Sequence, residues 1–204
     1  NKTAFANVFS ARLDDPTFLE ADTINIVGDV QASGALALRA RLVEVWSGNI
    51  HDGLGSPDSG VTADEIRFVI DEQWIHSGWL RATRLIDVAV TASTGDGALI
   101  RYGLEPNSIT ADVGSVIQTT GDESLVKLAS TTGSIIVATA VAVGGADSAM
   151  EINAGSGLRL LEGASLAVEG DRATMTLRSR GYLTLDSGAA IRAGAAFRDE
   201  GGMP

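Results

Sequence analysis

Residues 150–193 read MEINAGSGLRLLEGASLAVEGDRATMTLRSRGYLTLDSGAAIRA and repeat one short pattern six times. Each copy is an apolar residue, one spacer and a second apolar residue. The pairs are Met150/Ile152, Leu158/Leu160, Leu166/Val168, Met175/Leu177, Leu183/Leu185 and Ile191/Ala193. Pairs start eight residues apart within two sets of three, with a step of nine between the sets, so the whole unit has a period of 25. Because alternation over three residues puts both apolar side chains on one face, each pair predicts a short β-strand.

Turn-forming residues separate the predicted strands. They are Gly155, Gly157, Gly163, Gly170, Asp171, Gly181, Asp186, Ser187, Gly188 and Gly194. Three short strands and three turns in each period are typical of one coil of a parallel β-solenoid. The sequence therefore predicts an all-β fold, a right-handed parallel β-helix, with the hand taken from the general rule for parallel crossovers.

The repeat extends backward with more substitutions. One period upstream, Val141 and Val143 occupy the inward positions, and Leu125 does so with Lys127 as its polar partner. A shift of one residue, as in a β-bulge, would bring Ile117 inward.

The chain divides into four parts by pattern. Residues 98–199 are predicted to be regular coils, about four in number. Residues 21–97 are predicted to be irregular coils with an inserted loop that contains the Trp and His residues (46–84). Residues 1–20 are either an N-terminal cap or the continuation of a preceding coil, and 200–204 are a tail.

Composition limits the partners. The 204 residues carry a net charge of −11, which argues against binding to nucleic acid or to an anionic membrane. No run of about 18 apolar residues exists, so no membrane insertion is expected. Hydrophobic residues make up 45% of the chain but aromatic ones only 5%, which suits a narrow interior. No signal peptide is visible at Asn1, and cysteine is absent.

All tryptophans and histidines fall in one stretch of the chain, as Trp46, His51, Trp74, His76 and Trp79. One interpretation is a glycan-binding surface made by Trp74, His76, Trp79 and Trp46, since loops inserted in a solenoid often bind ligands. The other is that the tryptophans pack a loop onto the solenoid flank. Alternation puts Trp74 and His76 on the face opposite Ile75, which is the one feature of the sequence that indicates their exposure.

Three aspartates recur near the coil period, at Asp122, Asp147 and Asp171. Stacked about 4.8 Å apart on one corner, their like charges would need neutralisation. Calcium, an oxygen-seeking cation, is the candidate cofactor, and Arg172 or solvent are the alternatives. The Gly-Gly-x-Gly-x-Asp signature of calcium-binding β-rolls is absent.

No catalytic residue is predicted, and the chain is not expected to be an enzyme. It lacks the Gly-x-Ser-x-Gly elbow and the Gly-rich phosphate loops. A polysaccharide-cleaving enzyme stays open as an alternative, because Glu162 and Asp186 are placed to be neighbours on adjacent coils and paired carboxylates cleave glycosidic bonds.

The stretches Leu183-Thr-Leu-Asp-Ser-Gly-Ala-Ala-Ile-Arg-Ala-Gly and Leu158-Arg-Leu-Leu-Glu-Gly-Ala-Ser-Leu-Ala-Val-Glu-Gly resemble the repeats of filamentous-haemagglutinin-type adhesins and related giant bacterial surface proteins. The resemblance covers about residues 98–197 and implies a right-handed β-helix on the cell surface or outside the cell, with roles in adhesion, biofilm or filament structure. The coil here is longer than the roughly twenty-residue repeat of that group.

The expected function follows from the coil and its end. No cap is visible after Phe197, so the exposed strand edge is expected to meet further coils of a longer chain or another copy of this chain, end to end. We expect a structural β-solenoid of an extracellular or bacterial cell-surface assembly, an adhesin stalk or a filament subunit. The alternatives are a glycan-binding module and a polysaccharide-cleaving enzyme.

Overall fold

A computed structural model describes residues 5–45, 60–76, 78–91, 109–111 (backbone only) and 116–194. These residues form nineteen strands in chain order: β1 (Phe5–Val8), β2 (Ala11–Leu13), β3 (Thr17–Glu20), β4 (Thr23–Ile26), β5 (Asp29–Ala32), β6 (Ala35–Val45), β7 (Gly60–His76), β8 (Trp79–Val90), β9 (Ile109–Ala111), β10 (Val116–Thr119), β11 (Leu125–Ser130), β12 (Ile135–Val137), β13 (Ala140–Gly144), β14 (Ala149–Ala154), β15 (Gly157–Leu160), β16 (Ser165–Glu169), β17 (Thr174–Ser179), β18 (Tyr182–Leu185) and β19 (Ala190–Ala193).

The chain visits three parallel faces in turn. Sheet A contains β1, β4, β9, β12, β15 and β18, sheet B contains β2, β5, β10, β13, β16 and β19, and sheet C contains β3, β11, β14 and β17. Three longer strands turn corners: β6 passes from C to A, β7 from B through C to A, and β8 from B to C. Every pairing is parallel and joins one coil to the next, so the predicted parallel β-helix is confirmed.

Coil length differs from one part of the chain to another. The offset in sequence number between stacked residues is 18 for β1 on β4, 30 for the first part of β6 on β7, 20 for the second part of β7 on β8, 40 for the second part of β8 on β11, 24 for β11 on β14 and 25 for β16 on β19. The predicted period of 25 is confirmed for the last coils and is wrong for the first ones. The corners explain the difference: Asp64 alone separates two parts of β7, whereas residues 120–124 connect β10 to β11.

The offset between β11 and β14 is one residue shorter than predicted, and this changes which side chains point inward. Val126 and Leu128 are buried and stack on Met150 and Ile152, so the prediction of Lys127 at an inward position is wrong. A slip of one residue sends every side chain of a strand to the other face. The predicted shift near Ile117 is confirmed, because Ile117 is fully buried.

The predicted inserted loop 46–84 is wrong beyond residue 59, because 60–76 and 79–90 are the strands β7 and β8 of regular coils. Residues 46–59 lie outside the described residues, as do 200–204. Residues 1–4 lie outside the described residues, and β1 to β3 pair in parallel with β4 to β6, so residues 5–20 form a coil of the solenoid.

Inward side chains form one continuous apolar core. Away from the first and last described coils, the inward residues are buried, and five that are fully buried are Ile24, Phe68, Leu80, Ile117 and Leu166. Each coil buries its apolar face only against its neighbours, at about 25 cal/mol per Å² of apolar surface removed from water.

Charges on the outside alternate in sign from coil to coil. At the corner between sheets C and A, Arg41 donates to Asp22 of the preceding coil at 3.1 Å and to Glu72 of the following coil at 2.7 Å. On sheet C the stacked row is Arg67, Asp87, Lys127 and Glu151. Because neighbours in a row are about 4.8 Å apart, opposite charges favour this register over slipped ones.

Candidate functional site

Trp74 and His76 lie inside the solenoid, both fully buried. The prediction that they are exposed is wrong. In sheet A they stack on Val43 and Val45, which point inward, while Ile75 takes the outward position. Ile75 is also buried, although it points away from the core. Alternation in the sequence therefore separated the two faces of this strand correctly, but it did not show which face is interior.

Trp74 is the centre of an aromatic cluster in the core. The Phe68 ring meets it edge to face, with centroids 6.2 Å apart and an interplanar angle of 85°. The His76 ring lies 5.1 Å away, tilted by 31°. Edge-to-face and offset rings attract each other beyond their buried area, so this cluster stabilises the core around Trp74.

His76 points inward and stacks on Val45 of the preceding coil, and its backbone pairs with that of Ala111 in the next coil. Burial disfavours the charged imidazolium and lowers the pKa of His76 to about 4, with the backbone of Val116 acting weakly in the opposite direction. The imidazole is therefore neutral at physiological pH and packs as a core side chain.

Acidification should destabilise the protein through His76. An unfolded histidine titrates near 6.5, so between that pH and about 4 the unfolded state binds more protons, and stability falls as pH falls. The loss should reach about 3 kcal/mol below pH 4. Urea unfolding of wild type and His76→Leu across this window measures it: the variant should lack this part of the pH dependence, whereas His51→Gln should keep it. Equal slopes for wild type and His76→Leu would contradict the burial of His76.

Trp79 points outward on β8 and lies against backbone. A Cβ added to Gly60, its partner one coil earlier, would come 2.5 Å from the indole ring, so only glycine leaves room for this contact. The guanidinium carbon of Arg81 is 5.3 Å from the ring centroid. Tyr182 covers Gly157 in the same way. The Trp79 ring is thus engaged by its own chain.

The structure does not bring the predicted glycan-binding residues together. Trp74 and His76 are in the core, and Trp79 is on the outer face of sheet B. Trp46 and His51 lie outside the described residues.

The predicted row of Asp122, Asp147 and Asp171 is wrong. Because the offset from β11 to β14 is 24 and the next offset is 25, Asp147 stacks between Glu123 and Arg172. These three share a left-handed backbone conformation, with φ of 55°, 55° and 57°. The aspartates therefore occupy two different rows of this corner.

Arg172 neutralises the charge of Asp147, which was one of the predicted alternatives to calcium. Its guanidinium donates to both carboxylate oxygens and holds the pKa of Asp147 below its usual range. Asp186, a candidate for glycan cleavage, accepts a 2.8 Å hydrogen bond from Arg159 of the preceding coil. Within the described parts of the chain, no three His, Asp or Glu side chains are grouped so that they could hold a metal ion.

Both ends of the described solenoid expose large apolar side chains. On the last coil Leu183, Leu185 and Ile191 are 49%, 47% and 38% exposed. The first coil exposes three aromatic rings, Phe5, Phe9 and Phe18. Phe5 and Phe18 take outward positions on β1 and β3, next to the inward residues Ala6 and Leu19, so these two rings lie on the flank of the first described coil. Opposite charges that recur at the coil spacing, such as Asp22 and Arg41, are visible in the sequence and could have predicted the ion pairs between coils.

Among the described residues there is no helix long and apolar enough to span a lipid bilayer. Comparison with protein-family models, with curated proteins and with solved structures found no match to this chain.

Proposed function

We propose that this chain is a structural β-solenoid of an extracellular or bacterial cell-surface assembly, as an adhesin stalk or a filament subunit. It acts through rigidity and through end-to-end or lateral contacts. The resemblance of its repeats to those of surface adhesins supports the proposed location, and the coil geometry supports the proposed mode of action.

The open edge of the last described coil carries the proposal. Leu183 stacks on Leu158, which is fully buried, yet Leu183 itself is 49% exposed. The same inward row that forms the core is therefore presented to whatever lies beyond β18. Apolar rows exposed in this way, on strands that have no further partner among the described residues, are typical of interaction surfaces, because another strand buries both the row and the edge at once.

Rigidity has a physical basis in the ladder. Each coil is joined to its neighbours by three parallel sheets, and charged pairs such as Arg41 with Asp22 and Arg159 with Asp186 tie one coil to the next on the outside. Exposed ion pairs are worth little singly, up to about 1 kcal/mol, but these oppose any slip of register along the whole rod.

Two measurements on the native protein test the function. Protease treatment of intact source cells should release peptides of this chain, because an extracellular solenoid is accessible without lysis. The denaturing intact mass then separates the two forms of the proposal: a mass near 21.0 kDa indicates a filament subunit, and a much larger one a stretch of an adhesin stalk. Recovery only from the cytosolic fraction would contradict the proposal.

A further inference from the structure

We propose that a second copy of this chain docks head to tail on the open face of the last described coil, through its own first described coil. Strand β1 of one copy then extends sheet A beyond β18 of the other, and β2 extends sheet B beyond β19. This rests on the proposed structural function and names its partner.

The apolar rows match across such a junction. The row that begins at Ala6 runs through sheet A to Leu183, and the row of Val8 runs to Leu185. In sheet B the row of Ala11 ends at Ile191. Continuing the register therefore places a partly buried apolar side chain over each exposed one and removes both from water.

The charges of the two end coils are opposite. Residues 5–22 contain four carboxylates, Asp14, Asp15, Glu20 and Asp22, against the single Arg12. Residues 170–194 contain four arginines, Arg172, Arg178, Arg180 and Arg192, against two aspartates. Although the whole chain has a net charge of −11, its last described coil is basic and its first described coil is acidic, so the two are electrostatically complementary.

The complementary charges lie on the same corner of the coil. Glu20 belongs to the row of sheet C that ends at Arg178. Arg178 and Arg180 are exposed and line a groove of about 450 Å³ with Asn153. Head-to-tail stacking brings the acidic corner of one copy toward this basic groove of the next.

The difference in coil length is no obstacle, because the chain already stacks unequal coils. Strand β8 pairs with the second part of β7 at an offset of 20, and β11 pairs with β14 at an offset of 24, yet β8 and β11 pair with each other. On sheet A the two edge strands β1 and β18 are equal in length, and on sheet B β2 has three residues against four in β19.

One pair of like charges at the proposed junction opposes docking, and it provides a further test of the contact. The row of Arg12 in sheet B ends at Arg192, so the junction sets two like charges side by side. Arg12→Glu should therefore tighten association, although it makes the chain more acidic overall and would strengthen any general repulsion.

A charge swap followed by sedimentation velocity tests the junction. The wild-type chain should associate in a concentration-dependent way, and higher salt should weaken association. Arg178→Glu/Arg180→Glu makes the last coil acidic, and Asp14→Arg/Glu20→Arg makes the first coil basic; each variant alone should associate roughly tenfold more weakly. An equimolar mixture of the two variants should recover association, which also shows that both are folded.

Asp71→Arg, a reversal in a central coil on an exposed side chain, is the matched control and should leave association unchanged. A wild-type chain that is monomeric at every concentration would overturn the head-to-tail contact. So would association constants that are the same for wild type and for both charge-reversal variants. If the native chain is then found to be much larger and on the cell surface, the structural function stands and further coils of the same chain occupy the edge. Recovery of the native chain only from the cytosolic fraction would contradict the proposed structural function itself.

Discussion

Replacing Leu160 by aspartate is expected to unfold the C-terminal coils. Leu160 is fully buried on sheet A and stacks between Val137 and Leu185 in an inward row. A carboxylate there would have no partner, and an unpaired buried charge costs several kcal/mol, on the order of the 5–15 kcal/mol that stabilises a whole domain. The effect should spread to the neighbouring coils, because each coil contributes core surface to the next.

Circular dichroism and hydrogen exchange measure this loss. The matched control is Ala167→Asp, which introduces the same side chain at an outward position on the next strand, β16. The control should keep the wild-type melting curve. Protected amides throughout β14 to β18 in Leu160→Asp would mean that the inward rows are assigned to the wrong face.

Trp74→Ala is the second large effect, a loss of about 3–5 kcal/mol in the free energy of unfolding. Trp74 is the largest fully buried side chain in the described core, and its removal leaves a cavity against the Phe68 and His76 rings. Chemical denaturation followed by circular dichroism measures the change.

Two further variants distinguish a core role from a ligand-binding one. Trp74→Phe retains most of the ring contacts and should lose less stability than Trp74→Ala. Trp79→Ala removes a partly exposed ring and should also cost less. A Trp74→Ala protein as stable as wild type, or a Trp74 emission quenched by iodide, would show that the ring is accessible after all.

The last six strands were predictable from local pattern. The apolar pairs from Met150 to Ala193 all fall within β14 to β19, and the predicted partners stack on one another, as Leu158 does on Leu183. Local information suffices there because each strand is short, alternates cleanly and ends at turn-forming residues.

The first half of the chain was harder to predict because its coils have few turn residues. β7 runs through three faces with a register shift near Asp64, so its alternation continues while the chain turns a corner. The composition before residue 60 is typical of a loop, and the Trp and His residues after it have no counterpart in the repeat. Together they predicted an inserted loop, whereas residues 60–76 and 79–90 are strands of the solenoid.

The predicted row of aspartates was wrong for a related reason. The offset of 24 from β11 to β14 places Glu123 rather than Asp122 beside Asp147, and the offset of 25 from β14 to β17 places Arg172 rather than Asp171 on its other side. Spacing in the sequence could not detect this, because offsets that differ by one residue look alike at turn positions of low complexity.

Local alternation and turn chemistry thus specify that this chain forms short parallel strands in a solenoid, since both depend only on residues adjacent in the chain. Which residues meet across coils, and which face of a strand is interior, is decided by tertiary structure. The reason is physical: the length of every corner sets the register of all strands stacked on it, and a change of one residue there reverses the side chains, charges and burial of a whole strand.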